Sequence, residues 1–106
     1  MLEFTIEDLR NACSEHNIYW SMHAVKRMRE RGIKSDDFKH SIITGEIIEE
    51  YPADYPHPSC LVSGLSMQLR QLHTVSGYDE GTLFAITAYY PSITEWESDF
   101  KTRRVK

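Results

Sequence analysis

Apolar residues recur at helical spacing in three stretches within the first 45 positions of the chain. Thr5, Ser21 and Ser35 are the side chains expected to cap the starts of these helices. Each stretch has one apolar stripe, so the three helices should share a core. The predicted helices cover about residues 6–16, residues 21–31 with Gly32 as the left-handed end residue, and residues 35–44 with Gly45 following.

After Gly45 the pattern changes to that of β-strands. The last predicted strand is the most apolar and is expected near the sheet centre, and Pro91 should end it. Residues 52–58 contain three prolines and Tyr55, which predicts a loop over the sheet edge that shapes a groove. Residues 92–99 fit either a short helix or an irregular turn. The predicted strands cover residues 46–51, 59–63, 71–76 and 82–90.

This order of elements predicts one α+β domain over residues 1–106. The helices should pack on a four-stranded, mainly antiparallel sheet, because short turn-like connections join successive strands. The apolar run 18–20 is not assigned to an element. A chain of 106 residues is long enough for one core but not for two.

The charged residues are distributed unevenly along the chain. The formal net charge is -4, yet four of the twelve lysines and arginines lie between Lys26 and Arg31. Others cluster in residues 101–106, whereas none occurs between His40 and Leu69. If the two basic segments meet, they would form a positive patch on an acidic protein, and such a local field can bind phosphate.

Several classes of protein are not expected from this sequence. No apolar run approaches the roughly 20 residues of a membrane span, and the acidic N-terminus lacks the features of a signal peptide. Cys13 and Cys60 are expected to be reduced thiols, so we expect a soluble cytoplasmic protein. His57 and Cys60 lack a second close pair for a zinc site. Glycine-rich phosphate loops and nucleophile elbows are also missing, and neither metal nor cofactor is expected.

The most informative feature is a stripe on the second predicted helix. His23, Arg27 and Arg31 follow one another at intervals of four residues, which places them on one helix face. Cleaving RNA without a metal needs a titratable group and positive charges on the phosphate. His23 therefore predicts a general acid or base, and Arg27 and Arg31, with Lys26 nearby, predict phosphate binding. The alternative is a solvated helix face whose arginines form ordinary salt bridges, in the case of Arg31 with Asp36 and Asp37. Because Arg31 is close to the helix end, it is also a candidate for holding the fold together.

Hydroxyl groups on the last predicted strand form a second candidate group. Thr87 and Tyr89 are two residues apart, so they are expected to share one sheet face with Ala85. There they could hydrogen-bond a phosphate or stack a base. His73 could project onto the same face as a substrate-binding residue. The alternatives are that Thr87 only packs against helices and that His73 is a half-buried histidine bonded to backbone.

Six sequence segments together resemble one known family. In order they read His-Ala-x-x-Arg-x-x-Glu-Arg-Gly-Ile, Gly-Glu-Ile-Ile-Glu-x-Tyr, Tyr-Pro-x-Pro-Ser-Cys-Leu-Val, Leu-His-x-Val, Ile-Thr-Ala-Tyr-x-Pro and Glu-Trp-x-x-Asp-Phe-Lys-x-Arg. Over about residues 20–104 the chain resembles the family called domain of unknown function 4258. The family name carries no function.

Such domains resemble RelE-like and barnase-like small ribonucleases, which include toxins of toxin–antitoxin pairs. The resemblance implies that fold, an endoribonuclease activity centred on His23 and Arg27, and two partners: RNA and a cognate antitoxin, of zinc-finger and helix-turn-helix type in some cases. Active residues of related folds often lie on the sheet face near the C-terminus, which favours Tyr89 and Arg103, with Arg104 as the alternative to Arg103. The competing hypothesis is a catalytically inert domain that binds RNA or protein.

Overall fold

The computed structural model describes residues 2–105 and has three helices and five strands. It confirms an α+β fold in which the helices precede the main strands. The helices are α1 (Ile6–Ser14), α2 (Met22–Arg31) and α3 (Ser35–Thr44). The strands are β1 (Ile18–Trp20), β2 (Glu46–Tyr51), β3 (Ser59–Leu65), β4 (Gln71–Asp79) and β5 (Thr82–Tyr89).

The sheet is mixed, and its strand order is β1-β5-β4-β3-β2. Strands β2 to β5 form the predicted antiparallel succession. The prediction of four strands was wrong, because Ile18–Trp20 pairs in parallel with residues 83–85 of β5. Three residues are too few to show a strand period, so only this pairing reveals β1. Strand β5 is therefore an inner strand, although β4 lies at the centre of the order.

The helix boundaries follow local side-chain chemistry. The Thr5 hydroxyl accepts a hydrogen bond from the Asp8 N–H, and the Asp8 carboxylate accepts one from the Thr5 N–H. Ser21 Oγ likewise accepts from the Ala24 N–H at 3.1 Å and caps α2. Gly32 ends α2 with φ of 68°, in the left-handed region that glycine adopts without strain. These three predictions are confirmed.

Two helix ends differ from their predictions. Lys34, not Ser35, is the N-cap of α3, because the buried Asp37 carboxylate accepts a hydrogen bond from the Lys34 N–H at 2.9 Å. Helix α1 ends at Ser14 rather than at His16, whose φ of 56° is left-handed and ends the helical conformation. Both differences are local and leave the helix faces unchanged.

All three helices pack on one face of the sheet, where the main apolar core lies. At Gly64 an added Cβ would stand 2.0 Å from the Ser41 backbone oxygen, so only glycine permits this approach of α3 to β3. The core side chains come from α1 (Leu9, Ala12, Cys13), α2 (Ala24, Met28), α3 (Phe38, Ile42) and the strands (Cys60, Val62, Leu72, Leu83, Ala85, Ala88).

The opposite side of the sheet, which we call the far face, is only partly covered. Residues 91–105 cross it through turns and a single bridge between Trp96 and Arg103, so residues 92–99 form the irregular turn rather than a helix. A bulge in β5 shifts the pairing, since Ala85 pairs with Ser76 but Thr87 pairs with Val75. Ala85 therefore belongs to the helix-side core, and the prediction that it shares a face with Thr87 was wrong.

Candidate functional site

Helix α2 lies along β5 and borders the far face. At its start the Ser21 hydroxyl donates to the Ala85 carbonyl at 3.0 Å. At its end Arg31 donates to the Ala88 carbonyl at 2.8 Å and reaches Thr87 Oγ1 at 3.5 Å. In the described part of the chain, strand β1 pairs only with residues 83–85 of β5. The stripe of His23, Arg27 and Arg31 thus follows the later, unpaired side of β5, next to Thr87. Tertiary packing brings two of the predicted groups together here.

The residues of the stripe have different environments. His23 is exposed to solvent. Arg27 pairs with Glu30 at 3.0 Å, but both side chains are 41% or more exposed, so this pair contributes little to stability and leaves Arg27 available to an anion. The hydrogen bond from Arg31 to the backbone of β5 supports the predicted alternative of a structural anchor.

Lys26 lies away from the far face. It lines a separate surface depression with Trp20, Met22 and Arg29. On a helix, a residue one position from Arg27 is rotated by about 100°, which explains the separation. Lys26 can therefore add to the positive field but does not join the stripe.

At the other end of the far face, His73 is fully buried. Its Nε2 lies 2.7 Å from the Phe100 carbonyl, which can only accept, so Nε2 carries a proton. Burial lowers the pKa of His73, which keeps the ring neutral. Nδ1 then accepts the hydrogen bond from the Tyr89 hydroxyl, 3.2 Å away. A buried ring with both nitrogens bonded matches the structural alternative for His73, and substrate cannot reach it directly.

Thr87 and Tyr89 lie on the same side of the sheet, as their spacing predicts, and that side is the far face. Tyr89 is partly buried, and this desolvation raises the pKa of its hydroxyl, which therefore stays protonated at neutral pH. Because that proton is donated to His73, Tyr89 is not a general base at neutral pH. Thr87 is partly exposed next to the Arg31 guanidinium.

Arg103 is also committed to contacts within the protein. Its guanidinium donates two hydrogen bonds to Glu49, at 2.6 and 3.1 Å, and lies over the Trp96 ring at 4.6 Å. The hydrogen bond from Arg103 holds the pKa of Glu49 below its usual range. Lys101 pairs with Glu46, and Arg104 pairs with Glu97. These three cations of the described C-terminal segment are thus paired with carboxylates, and the positive charge of the predicted joint patch is reduced there.

Next to His23 the far face opens into a cavity of about 580 Å³, which we call the aromatic pocket. His57 stacks on Phe84 in its wall, with ring centroids 4.2 Å apart and planes inclined by 17°. His57 Nδ1 also lies 3.7 Å from an Asp79 carboxylate oxygen. The pocket is lined by Tyr19, Ser21, His23, Asp54, Tyr55, Pro56, His57, Gly77, Phe84, Ala85 and Ile86.

Sequence reasoning found only part of this pocket. The pattern of prolines predicts that the loop around Tyr55 shapes a groove, but neither Tyr19 nor a role for His57 other than metal binding is predicted. The available signal is that two segments distant in sequence from Phe84 each contain an aromatic residue of the pocket, namely Tyr19 and Tyr55. Tyr19 reaches Phe84 only because β1 pairs with β5, which the sequence does not show.

Comparison with known families gives one result. The model of the family described as Domain of unknown function (DUF4258) matches residues 20–90, more than half of the chain. The chain belongs to the DUF4258 family. No curated protein and no solved structure matched the chain.

The DUF4258 match covers most of the geometry described above. Residues 20–90 include the whole stripe and every residue of the aromatic pocket except Tyr19. Trp96 and Arg103 lie beyond the matched segment, although the predicted resemblance extended to about residue 104. Within residues 2–105, no helix is long and apolar enough to cross a membrane, and no three His, Cys, Asp or Glu side chains group as ligands for a metal ion.

Proposed function

We propose that this DUF4258 protein is a metal-independent endoribonuclease with a RelE/barnase-like fold, acting as the toxin of a type II toxin–antitoxin pair. The observation that carries the proposal is the position of His23. It is an exposed imidazole that lines the aromatic pocket and shares a helix stripe with Arg27 and Arg31. A titratable group, fixed positive charge and a cavity therefore adjoin on one open surface.

The proposed reaction needs two proton transfers. A base removes the proton of the 2′-hydroxyl, the 2′-oxygen attacks phosphorus, and the bond to the 5′-oxygen breaks as an acid protonates that oxygen. His23 serves as one of these groups, which typically contributes about 10² to 10⁴-fold in rate. His57 is the second imidazole that lines the pocket and is a candidate for the other group.

The remaining predicted residues have supporting roles in this proposal. Arg27 and Arg31 neutralise the phosphate, and the Thr87 hydroxyl beside Arg31 donates to a phosphate oxygen. Tyr89 lies on the far face outside the aromatic pocket, and its hydroxyl is committed to the buried His73, so we assign it a secondary role as well. Arg103 can bind phosphate only by exchanging its contacts with Glu49, so we assign it a secondary role.

The proposed partners follow from the same charges. A cognate antitoxin, of the zinc-finger and helix-turn-helix type, would inhibit the enzyme by covering the stripe with an acidic segment. Such a segment would compete with RNA for Arg27 and Arg31. A toxin directed at cellular RNA would act in the cytoplasm.

The test is cleavage of labelled RNA in the presence of a metal chelator. We expect products that end in 2′,3′-cyclic phosphate, and we expect their rate of formation to fall by about 10² to 10⁴-fold in His23→Ala. The matched control is His16→Asn, which removes another exposed histidine and tolerates the left-handed backbone there. Expression in a bacterial host should arrest growth, and His23→Ala should relieve the arrest.

One observation favours a second candidate function, an inert domain that binds RNA or protein. Arg103, Tyr89 and His73 are committed to internal contacts, which leaves fewer groups for catalysis. RNA that is bound in a salt-dependent way but left intact by the wild-type protein would support this alternative and overturn the enzyme.

A further inference from the structure

We propose that the aromatic pocket is a binding site for one unpaired nucleobase of a single-stranded RNA. That the ligand is RNA rests on the proposed function. The inference adds which part of the protein surface contacts a base of that RNA. Aromatic side chains that bind single strands do so by stacking on the flat faces of bases. The pocket presents such side chains together with His23, the first residue of the stripe to which we assign the phosphate.

The aromatic rings of the pocket are available to a ligand. Tyr19 is 58% exposed, and Tyr55 is 92% exposed, although both are large side chains with substantial apolar surface. Tyr19 pairs with Phe84 across β1 and β5, and their ring centroids are 5.9 Å apart. Because His57 stacks on Phe84, the wall is already assembled without a ligand. A cavity of about 580 Å³ is also within the range of small-molecule sites.

The charges of the pocket suit a base rather than a phosphate. Asp54 is among its lining residues, and none of the described residues that line it is a lysine or an arginine. A phosphate would be repelled by the carboxylate, whereas an uncharged base is not. His23 lines the same pocket and begins the stripe that continues to Arg27, so a bound nucleotide can place its base in the pocket and its phosphate on the helix.

This arrangement requires an unpaired base. In a duplex both faces of each base are stacked and its edge is paired, so a base enters the pocket only from a single strand or after extrusion. Two other occupants are conceivable, an apolar side chain of an antitoxin and a second copy of this chain. The experiment below is designed so that either one overturns the proposal.

The first measurement uses nucleosides, which carry no phosphate. Titration of the wild-type protein with adenosine and guanosine should shift the NMR signals of Tyr19, Phe84 and Ile86. Tyr19→Leu removes the ring while keeping an apolar side chain, and it should weaken binding by about tenfold, whereas Tyr19→Phe should bind as the wild type does. Leu69→Ala is the matched control, because Leu69 is also exposed but lies outside the pocket.

The second measurement uses 2′-O-methyl tetranucleotides, which the proposed reaction cannot cleave. Replacing one base by an abasic sugar should weaken binding by about tenfold at one position, and in Tyr19→Leu that loss should disappear. If binding weakens with salt but is the same for the abasic oligonucleotide and for Tyr19→Leu, the base site is overturned while RNA binding itself remains. If the protein binds a base but does not cleave ordinary RNA, the base-binding proposal stands and the proposed ribonuclease activity is overturned.

Two further outcomes would overturn the base site. One is that neither nucleosides nor oligonucleotides shift the signals of the pocket. The other is that sedimentation shows a dimer that Tyr19→Leu dissociates, which would make the pocket an interface between copies. If an antitoxin peptide shifts the signals of the pocket and nucleosides do not, the pocket is a protein-docking site.

Discussion

The two ends of the far face contain similar types of residue, but these are buried and hydrogen-bonded within the protein at one end and exposed at the other. At one end, which we call the capped end, His73, Tyr89, Trp96, Arg103 and Glu49 form a packed network under the C-terminal segment. At the other end lies the aromatic pocket, which also contains histidines, tyrosines and a carboxylate. At the capped end the polar atoms are hydrogen-bonded within the protein, whereas Tyr19, His23 and Tyr55 of the pocket are exposed to solvent.

This difference separates stabilising groups from groups available to a ligand. A buried polar side chain must be hydrogen-bonded, since leaving it unpaired would destabilise the fold. His73 meets that requirement through Phe100 and Tyr89, and it is therefore unavailable for chemistry. An exposed aromatic ring such as Tyr19 gives little to stability. The comparison thus assigns the capped end to the fold and the aromatic pocket to function.

The largest expected contrast is in stability. Trp96→Ala removes a 2% exposed side chain that contacts His73 edge-on, with ring centroids 4.6 Å apart, and should lower the free energy of unfolding by about 3–5 kcal/mol. Tyr19→Ala at the exposed end should change it by less than about 0.5 kcal/mol. Chemical denaturation of both variants measures the contrast. Equal losses would show that the two ends do not differ in the way described.

A smaller effect should appear in the pH dependence of the free energy of unfolding. The pKa of His73 is lowered by burial, so the unfolded chain binds a proton more readily than the folded chain. Stability should therefore fall as the pH drops through the unfolded value of about 6.5 toward the folded pKa, by at most about 1.4 kcal/mol per pH unit.

The matched variant for this prediction is His73→Gln, which retains a donor and an acceptor but does not titrate. Denaturation between about pH 7.5 and 5.5 should show a weaker loss of stability in the variant than in the wild type. Parallel pH profiles would mean that His73 does not change its protonation on unfolding.

The smallest expected effect is electrostatic. Arg27→Ala should weaken RNA binding and reduce the slope of log affinity against log salt by about 1, with stability changed by less than about 0.5 kcal/mol. Arg29→Ala is the matched control, because Arg29 lines the depression on the other side of α2 with Lys26. An unfolded Arg27→Ala would make this arginine structural, and equal slopes for the two variants would remove the special role of the stripe.

Much of the local structure could be predicted from the sequence because it depends on neighbouring residues. Thr5 and Ser21 cap their helices, and Gly32 ends α2, since each acts on backbone groups within a few positions. The spacing of His23, Arg27 and Arg31 placed them on one helix face for the same reason. The four longer strands were found from their alternation and their turns.

Tertiary structure decided which of these residues meet. Only the pairing of Ile18–Trp20 with β5 makes the first strand and brings Tyr19 beside Phe84, although the two are distant in sequence. The bulge in β5 separates Ala85 from Thr87, and no local signal marks it. Glu49 and Arg103 pair across the fold, which neutralises one of the positive charges expected from the C-terminus.

The sequence by itself therefore determined the three helices, the four longer strands, the DUF4258 membership and the stripe that holds His23, because periodicity, capping and motif order are properties of contiguous residues. The folded structure decided that His73 is buried and bonded, that Arg103 is paired, and that His23 adjoins the aromatic pocket. These outcomes depend on contacts between segments far apart in the chain. Burial arises only when such segments exclude water from one another, and Arg103 meets Glu49 only because the fold brings their segments together.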